Sequence, residues 1–557
     1  MLRFRSLSAC AAAFALFLSG CSAEKHEDQA KQQERSSERM VAPVLTGEDA
    51  RDPFSYARPQ EARVTHVALD LAAEALRVEI GGTATLDVQA APNAKEVVLD
   101  SKGLEIEAVT NAEGAPLQYA VGKADAERGA PLSVQLNGAK QIKIAYRSAP
   151  DAEALQWLTP EQTAGKQQPF LFSQGQPTLN RTWIPTQDSP GIRQTWEARI
   201  TVPEPLKVVM SGENLARDGE PAGEGRRAFR FRMDKPVAPY LIAIAAGDLA
   251  FQELGPRSGV YAEPATIKAA AAELADTEKM IDAAEKLYGP ERAAQEAALS
   301  FAEIDTVIEE KGRTSPLTRL HNPEAGTGGE SGIVYDKGAA FLRTVEQIVG
   351  RERFDAWLRS YFARHAFQPM TSARFLADLR KHLIKGDQAL EQKLKLDEWV
   401  YQPGLPDNAV RPNPQGFAQA DAALRGFAAG GPAAAVPYGK WTTAERLRFL
   451  NGLPRELPTE RLAELDQALR LSQSGNSETL FAWLQLALAN RYEPAVPVAE
   501  RFLLSMGRRK FVAPLFETLI AEGEWGRPIA ERLYARARPT YHSVTTSAVD
   551  KALKGGG

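Results

Sequence analysis

From Arg63 onward the apolar positions recur at every second residue. Val67, Leu69 and Leu71 alternate with other residues, as do Leu76, Val78 and Ile80, then Ala84, Leu86 and Val88, with Gly81-Gly82 and Pro92-Asn93 as punctuation. The same period runs through 142–146, 196–202, 208–210 and 229–233, so residues 60–262 are predicted to form an antiparallel β saddle or sandwich. After Glu263 the period becomes 3.6. Segments 267–287, 338–348, 354–365, 373–383 and 390–399 each carry one apolar stripe with polar flanks, which predicts helices across 263–411. An Ala/Gly/Pro-rich stretch at 412–437 reads as a linker over 412–440. Beyond it, 441–557 carries about six short helical patterns in succession, a small helical solenoid without a strict sequence repeat.

The N-terminus reads as an address. Arg3 and Arg5 precede an apolar run, Ala9 to Leu18, that is too short to span a bilayer and suits a signal segment over 1–21. It ends in Leu18-Ser19-Gly20-Cys21, which resembles a bacterial lipobox. That implies lipidation at Cys21 and a bacterial cell-envelope location, with the outer membrane, facing the periplasm, as the secondary expectation from Ser22. Cys10 leaves with the signal. Residues 22–59, rich in Glu, Lys, Gln, Ser and Arg, cannot bury enough apolar area to offset chain entropy and read as a disordered tether. A formal charge of −4 provides no basic excess for a nucleic-acid backbone, so nucleic acid is an unsuitable partner.

The stretch "AAEKLYGPERAAQE" is helical in pattern on both sides of Gly289-Pro290, with no loop between. Locally, a plain helix-turn-helix accounts for it, since Gly suits a helix end and Pro a helix start.

Three islands carry a family resemblance. "FSQGQPTLNRTWIPTQDSPGIRQTWEARITV" with "KPVAPYLIAIAAGDL", "GIVYDKGAAFLRTVE" followed by "EWVYQPGLP", and "GRRKFVAPLFETL" with "YHSVTTSAVDKAL" together resemble zinc aminopeptidases of the gluzincin family, in the branch similar to leukotriene hydrolase. The resemblance implies a multidomain α+β chain: an N-terminal β saddle, a thermolysin-like catalytic domain reduced to a helical remnant (263–411), and a C-terminal helical solenoid. It also implies peptides as substrate or ligand, and zinc as the family's metal. The family's H-E-x-x-H helix, its second glutamate ligand and its G-G-M-E-N motif have no counterpart in the sequence. The six histidines, His26, His66, His321, His365, His382 and His542, are scattered singly and read as structural. Two "LYGP"-like ends that flank the zinc segment in the family look fused here, which places a seam near 289–291. No metal ligand is identifiable, and no cofactor is expected in this chain. Glu303, Asp305, Glu309 and Glu310 read as a solvated helix face.

The resemblance implies roles for five residues. Tyr335 matches the tyrosine that stabilises the oxyanion. Gln174 and Gln176 match glutamines that bind peptide backbone, and on alternate strand positions they would share a face. Arg508 and Lys510 match the basic pair that receives a terminal carboxylate; read without the family, they are cations at a helix C-terminus. Three readings stay open: an inactive aminopeptidase descendant, a lipid-anchored peptide-binding protein, and a shortened form of an active enzyme. With its partners removed at the seam, the middle of the chain is expected to be loosely packed, since folding margins are only about 5–15 kcal/mol.

Overall fold

The structure, a computed structural model, describes residues 39–74, 78–280, 290–322, 333–412 and 415–555. The signal segment, Cys21, most of the expected tether and Gly289 of the seam lie outside the described residues.

The N-terminal domain is built from β1 (Ala62–Glu74), β2 (Glu79–Ala90), β3 (Glu96–Ser101), β4 (Glu105–Asn111), β5 (Tyr119–Val121), β6 (Ala130–Gln135), β7 (Gln141–Arg147), β8 (Leu155–Leu158) and β9 (Phe170–Ser173). It continues through β10 (Gln194–Pro203), β11 (Lys207–Met210), β12 (Glu213–Asn214), β13 (Glu220–Pro221), β14 (Arg226–Val237), β15 (Ile244–Gly247), β16 (Ala250–Gly255) and β17 (Ser258–Ala262). The large sheet takes the order β12-β14-β10-β1-β2-β7-β4, with β13 paired to β14. Two smaller sheets, β11-β15-β9-β8 and β3-β6-β5, and the hairpin β16-β17 complete it. The sheet is not wholly antiparallel as expected, because β1 and β10 run parallel. Residues 75–193 lie between them, ample chain for the crossover that a parallel pair requires.

A register shift between Val64 and His66 puts Val64 and Val67 on the same buried face. From there the period-two pattern holds, and Leu69, Leu71, Ile80, Leu86 and Ile144 enter the core with Tyr146, Trp183, Trp196, Phe229 and Phe231. On the opposite face, cross-strand ion pairs such as Arg199–Asp70 and Arg226–Glu74 occupy the polar positions. Each exposed pair is worth at most about 1 kcal/mol.

A buried charged knot anchors the saddle. Arg181 donates from its backbone N and Nε to Asp188 Oδ2, and from its terminal nitrogens to the carbonyls of Asp188, Phe54 and Arg128. Asp100, also buried, accepts from Ser55 Oγ and from the backbone N–H groups of Tyr56 and Asp188. Residues 39–59 are therefore not the disordered tether expected over 22–59; they form a strap on the saddle. Ala42 and Leu45 are buried, and the Phe54–Tyr56 backbone satisfies the knot. Polar composition hid this, because the strap is held by hydrogen bonds rather than by apolar area. It also reaches the next domain: Asp49 Oδ2 accepts from the Ala373 backbone N at 2.9 Å and from the Tyr401 hydroxyl at 3.3 Å.

Among the described residues, the regular elements of 263–411 are all helices, joined by turns. Phe301, Ile304 and Ile308 of the helix Pro290–Lys311 pack with Ile333, Phe341 and Val345 of the helix Ile333–Val349, and with Trp357, Leu379 and Trp399. The helices after Phe301 thus have apolar partners, contrary to the loose packing expected. The C-terminal domain holds seven α-helices from Thr443–Gly452 to Ser543–Gly555. Its core extends into the segment expected as a linker over 412–440, which contains the helix Ala418–Ala428. Phe417, Ala420, Phe427, Ala433, Val436 and Tyr438 are buried against this core. Alanine is the strongest helix former, so the biased composition builds structure here.

Burial pushes the Asp188 carboxyl up to about 7 against the pull of Arg181, and it raises Asp100 as well. A carboxyl whose folded pKa lies above its unfolded value contributes stability while protonated, and that contribution is lost as pH rises through about 7. Asp188→Asn removes this loss. Its stability relative to the parent is expected to improve by about 1–3 kcal/mol between about pH 5 and pH 8, measured by urea denaturation. Equal differences at both pH values would count against a titrating Asp188.

Candidate functional site

The sequence-predicted residues lie on all three domains: Gln174 and Gln176 on the saddle, Tyr335 on a central helix, and Arg508 and Lys510 on the C-terminal helices. Gln174 and Gln176 follow the end of β9 rather than lying within a strand, so the shared strand face expected for them does not form. The chain bends at Gly175, where a Cβ would lie 2.3 Å from Asn180 Oδ1 and 3.0 Å from the Tyr240 carbonyl. Asn180 itself is buried, donating to the Pro239 and Ile242 carbonyls and accepting from Trp183 Nε1. Both glutamines are exposed, and Gln174 Nε2 donates to the Gln176 carbonyl at 3.2 Å.

Arg508 is the N-cap of the helix Arg509–Ala521, which corrects the expected position at a helix C-terminus. A cation at a helix N-terminus opposes the macrodipole, so dipole complementation does not explain it. Exposed backbone N–H groups and a guanidinium at one place both favour an anion. Arg508 is exposed and has no ion-pair partner among the described residues; its guanidinium lies 5.8 Å from the Phe511 ring centre. Lys510 is instead committed to Glu478, at 2.6 Å.

The segment Tyr541–Thr545 ties these two regions together. Gln174 N donates to the Ala154 carbonyl at 2.8 Å, and His542 Nε2 contacts the same oxygen at 3.4 Å. His542 Nδ1 accepts from Val544 N, which leaves the proton on Nε2 for Ala154. Ser543 Oγ donates to the Glu153 carbonyl, and Thr545 Oγ1 to the Gly507 carbonyl, one residue before Arg508. Sequence reading noted "YHSVTT" as a motif but not this clamp, because its partners are backbone carbonyls far away in the chain.

Tyr335 lies in the first turn of Ile333–Val349, 76% exposed, and its hydroxyl has no partner among the described residues. Beside it, Asp336 accepts from Ser300 Oγ at 2.7 Å. Glu303 is open to solvent on one side, yet crowding by protein, then the Asp336 and Glu310 carboxylates, push its pKa up while Lys510 pulls it down. The acidic helix after the seam therefore lies in the field of both Asp336 and the basic C-terminal turn. Two residues on from Tyr335, and so on the opposite face of the helix, Lys337 is fully buried and donates to the Thr318 and Gln402 carbonyls at 3.0 and 2.9 Å. Burial, with Arg319 nearby, lowers it to about 8. With the Phe341–Trp399 ring contact, this explains why "GIVYDKG" and "EWVYQPGLP" occur together.

Among the described residues no three His, Cys, Asp or Glu side chains are grouped to hold a metal ion. His66 is buried against Thr195, His321 faces Asp49, and His365 and His382 face Asp378. Asp378 is itself saturated by Arg364, His365 and Trp357, which outweigh burial and hold it at about 2. Asp305 is paired with Arg411.

The chain thus comprises a β saddle, a helical middle and a helical C-terminal domain. Family profiles agree: Peptidase M1 N-terminal domain matches residues 59–241, Peptidase family M1 domain 285–399, and Leukotriene A4 hydrolase, C-terminal, 441–553. The chain belongs to the peptidase M1 family. It is 26% identical to leukotriene A-4 hydrolase of Xenopus laevis, over 90% of this chain and 99% of that protein. It is 25% identical to leucine aminopeptidase 2 of Yarrowia lipolytica, over 90% and 94%. Its fold matches that of yeast LTA4 hydrolase in complex with bestatin, with a TM-score of 0.78 at 20% identity, covering 94% of this chain and 99% of that one.

Lys337→Met keeps most of the volume but leaves the buried Thr318 carbonyl and the part-buried Gln402 carbonyl without their donor. It is expected to destabilise the central domain by about 1–3 kcal/mol in urea denaturation followed by tryptophan fluorescence. An unchanged midpoint would mean that the two hydrogen bonds contribute nothing net.

Proposed function

We propose that this chain binds peptides on an M1-family scaffold without hydrolysing them, held at a bacterial envelope by a lipid on Cys21. The observation that carries the reading is that M1-family profiles match residues 59–241 and 285–399, the second running across the seam at 289–291, while no H-E-x-x-H or G-G-M-E-N motif occurs in the 557 residues. The alignment with the Xenopus relative supports an internal deletion. It runs over 610 positions yet covers 90% of this 557-residue chain, about 500 residues, which leaves about 100 positions of the relative without a counterpart.

Zinc-dependent hydrolysis requires about three protein ligands to activate water and polarise the carbonyl. Without them Tyr335 has no nucleophile to assist. What persists suits recognition: Gln174 and Gln176 offer amide donors and acceptors to a peptide backbone, and Arg508 with its helix N-terminus offers a seat for a terminal carboxylate. Lys510, paired with Glu478, brings no uncompensated charge to that seat. Relatives named as leucine aminopeptidases support peptides as the ligand class. A second reading, a shortened form of an active aminopeptidase, is favoured by the two fused "LYGP" ends alone.

The purified chain is expected to carry far less than one equivalent of zinc by elemental analysis and to release no chelator-sensitive chromophore from an aminoacyl anilide. Calorimetric titration with short peptides is expected to show saturable heat, which Arg508→Ala weakens about tenfold. One equivalent of zinc with chelator-sensitive release would overturn the non-catalytic reading, and absence of heat at millimolar peptide would remove the binding reading. Lipidation predicts that the chain partitions into detergent and that Cys21→Ser abolishes this.

A further inference from the structure

The strap of residues 39–59 closes over a cavity of about 650 Å³, whose far wall is the 189–193 turn. Five arginines line it, Arg51, Arg58, Arg63, Arg128 and Arg193, against one carboxylate, Asp52. Asp52 Oδ1 is occupied by the Phe54 backbone N–H. Arg58 is neutralised by Glu61 and Glu96, and Arg128 stacks on Tyr56 with Asp125 at 3.8 Å. Arg51, Arg63 and Arg193 have no carboxylate partner among the described residues. Arg63 donates only to neutral oxygens, those of Gln89 and the Ala42 carbonyl. Arg193 Nε is buried with no hydrogen-bond partner.

A guanidinium stays protonated at neutral pH even where burial lowers its pKa, as it does for Arg63 and Arg193. Partly buried positive charge without a counter-ion costs stability, and an anion entering the cavity offsets that cost. We propose that this cavity is a binding site for a phosphate-bearing small molecule. Its volume lies within the roughly 300–1,000 Å³ typical of small-molecule sites. The three uncompensated arginines come from the strap, β1 and the turn before β10, so they approach from different directions. A tetrahedral phosphate presents acceptor oxygens to all of them, whereas a planar carboxylate serves one or two. Tyr56 and Leu45 supply ring and aliphatic surface for the rest of the ligand.

The test is calorimetric titration of the full chain with inorganic pyrophosphate, ionic strength being held constant with sodium chloride. Saturable heat is expected, with affinity reduced at least about tenfold in Arg193→Gln and unchanged in Arg448→Gln, a cation between the central and C-terminal domains. Should Arg193→Gln fail to fold by circular dichroism, Arg51→Gln, on the exposed strap, is expected to show the same direction of loss. Absence of heat up to about 10 mM pyrophosphate, or equal affinity in the parent and the folded cavity variant, would overturn the proposal.

Discussion

Among the described residues, the three domains share no apolar core. The saddle, the central helices and the C-terminal helices each close their own hydrophobic cluster. Polar contacts bridge them: Asp49 joins the strap to the central domain, and the Tyr541–Thr545 clamp joins the C-terminal domain to the saddle. Individually such contacts contribute about 0.5–3 kcal/mol. Being directional, they set how these elements meet.

That dependence bears on what the scaffold can do. Gln174 and Arg508 stand on different domains, yet the clamp fixes both through the loop at 153–154 and the turn at 507. A ligand spanning them reads a distance set by Ser543, Thr545 and His542, none of which needs to touch it. Tyr335 is placed differently. It stands on a helix anchored from beneath by Lys337, and it faces solvent where residues 323–332 lie outside the described structure.

Periodicity revealed most of the architecture because burial follows it: Leu69, Leu71 and Leu86 on the strands and Phe341 and Leu376 on the helices obey the period that named their elements. Three features escaped. The strap was missed because hydrogen bonds to Asp100 and Arg181 leave no apolar signature, and the helix 418–428 because a linker-like composition also suits a helix. The parallel pairing of β1 with β10 depends on topology, which local pattern does not encode. At the site, residue types were legible but their settings were not. Lys510 lost its free charge to Glu478, and the two glutamines proved to lie beyond the end of β9, since neither a pairing between two C-terminal helices nor the end of a strand is written in spacing.

The strap also imposes an order of events on a nascent chain. Its contacts with the saddle need partners within about 160 residues, whereas Asp49 waits for Ala373 and Tyr401, which follow it by 324 and 352 residues. Until those residues are in place, Asp49 protrudes from an already settled N-terminal half, a waiting hook for the helical middle.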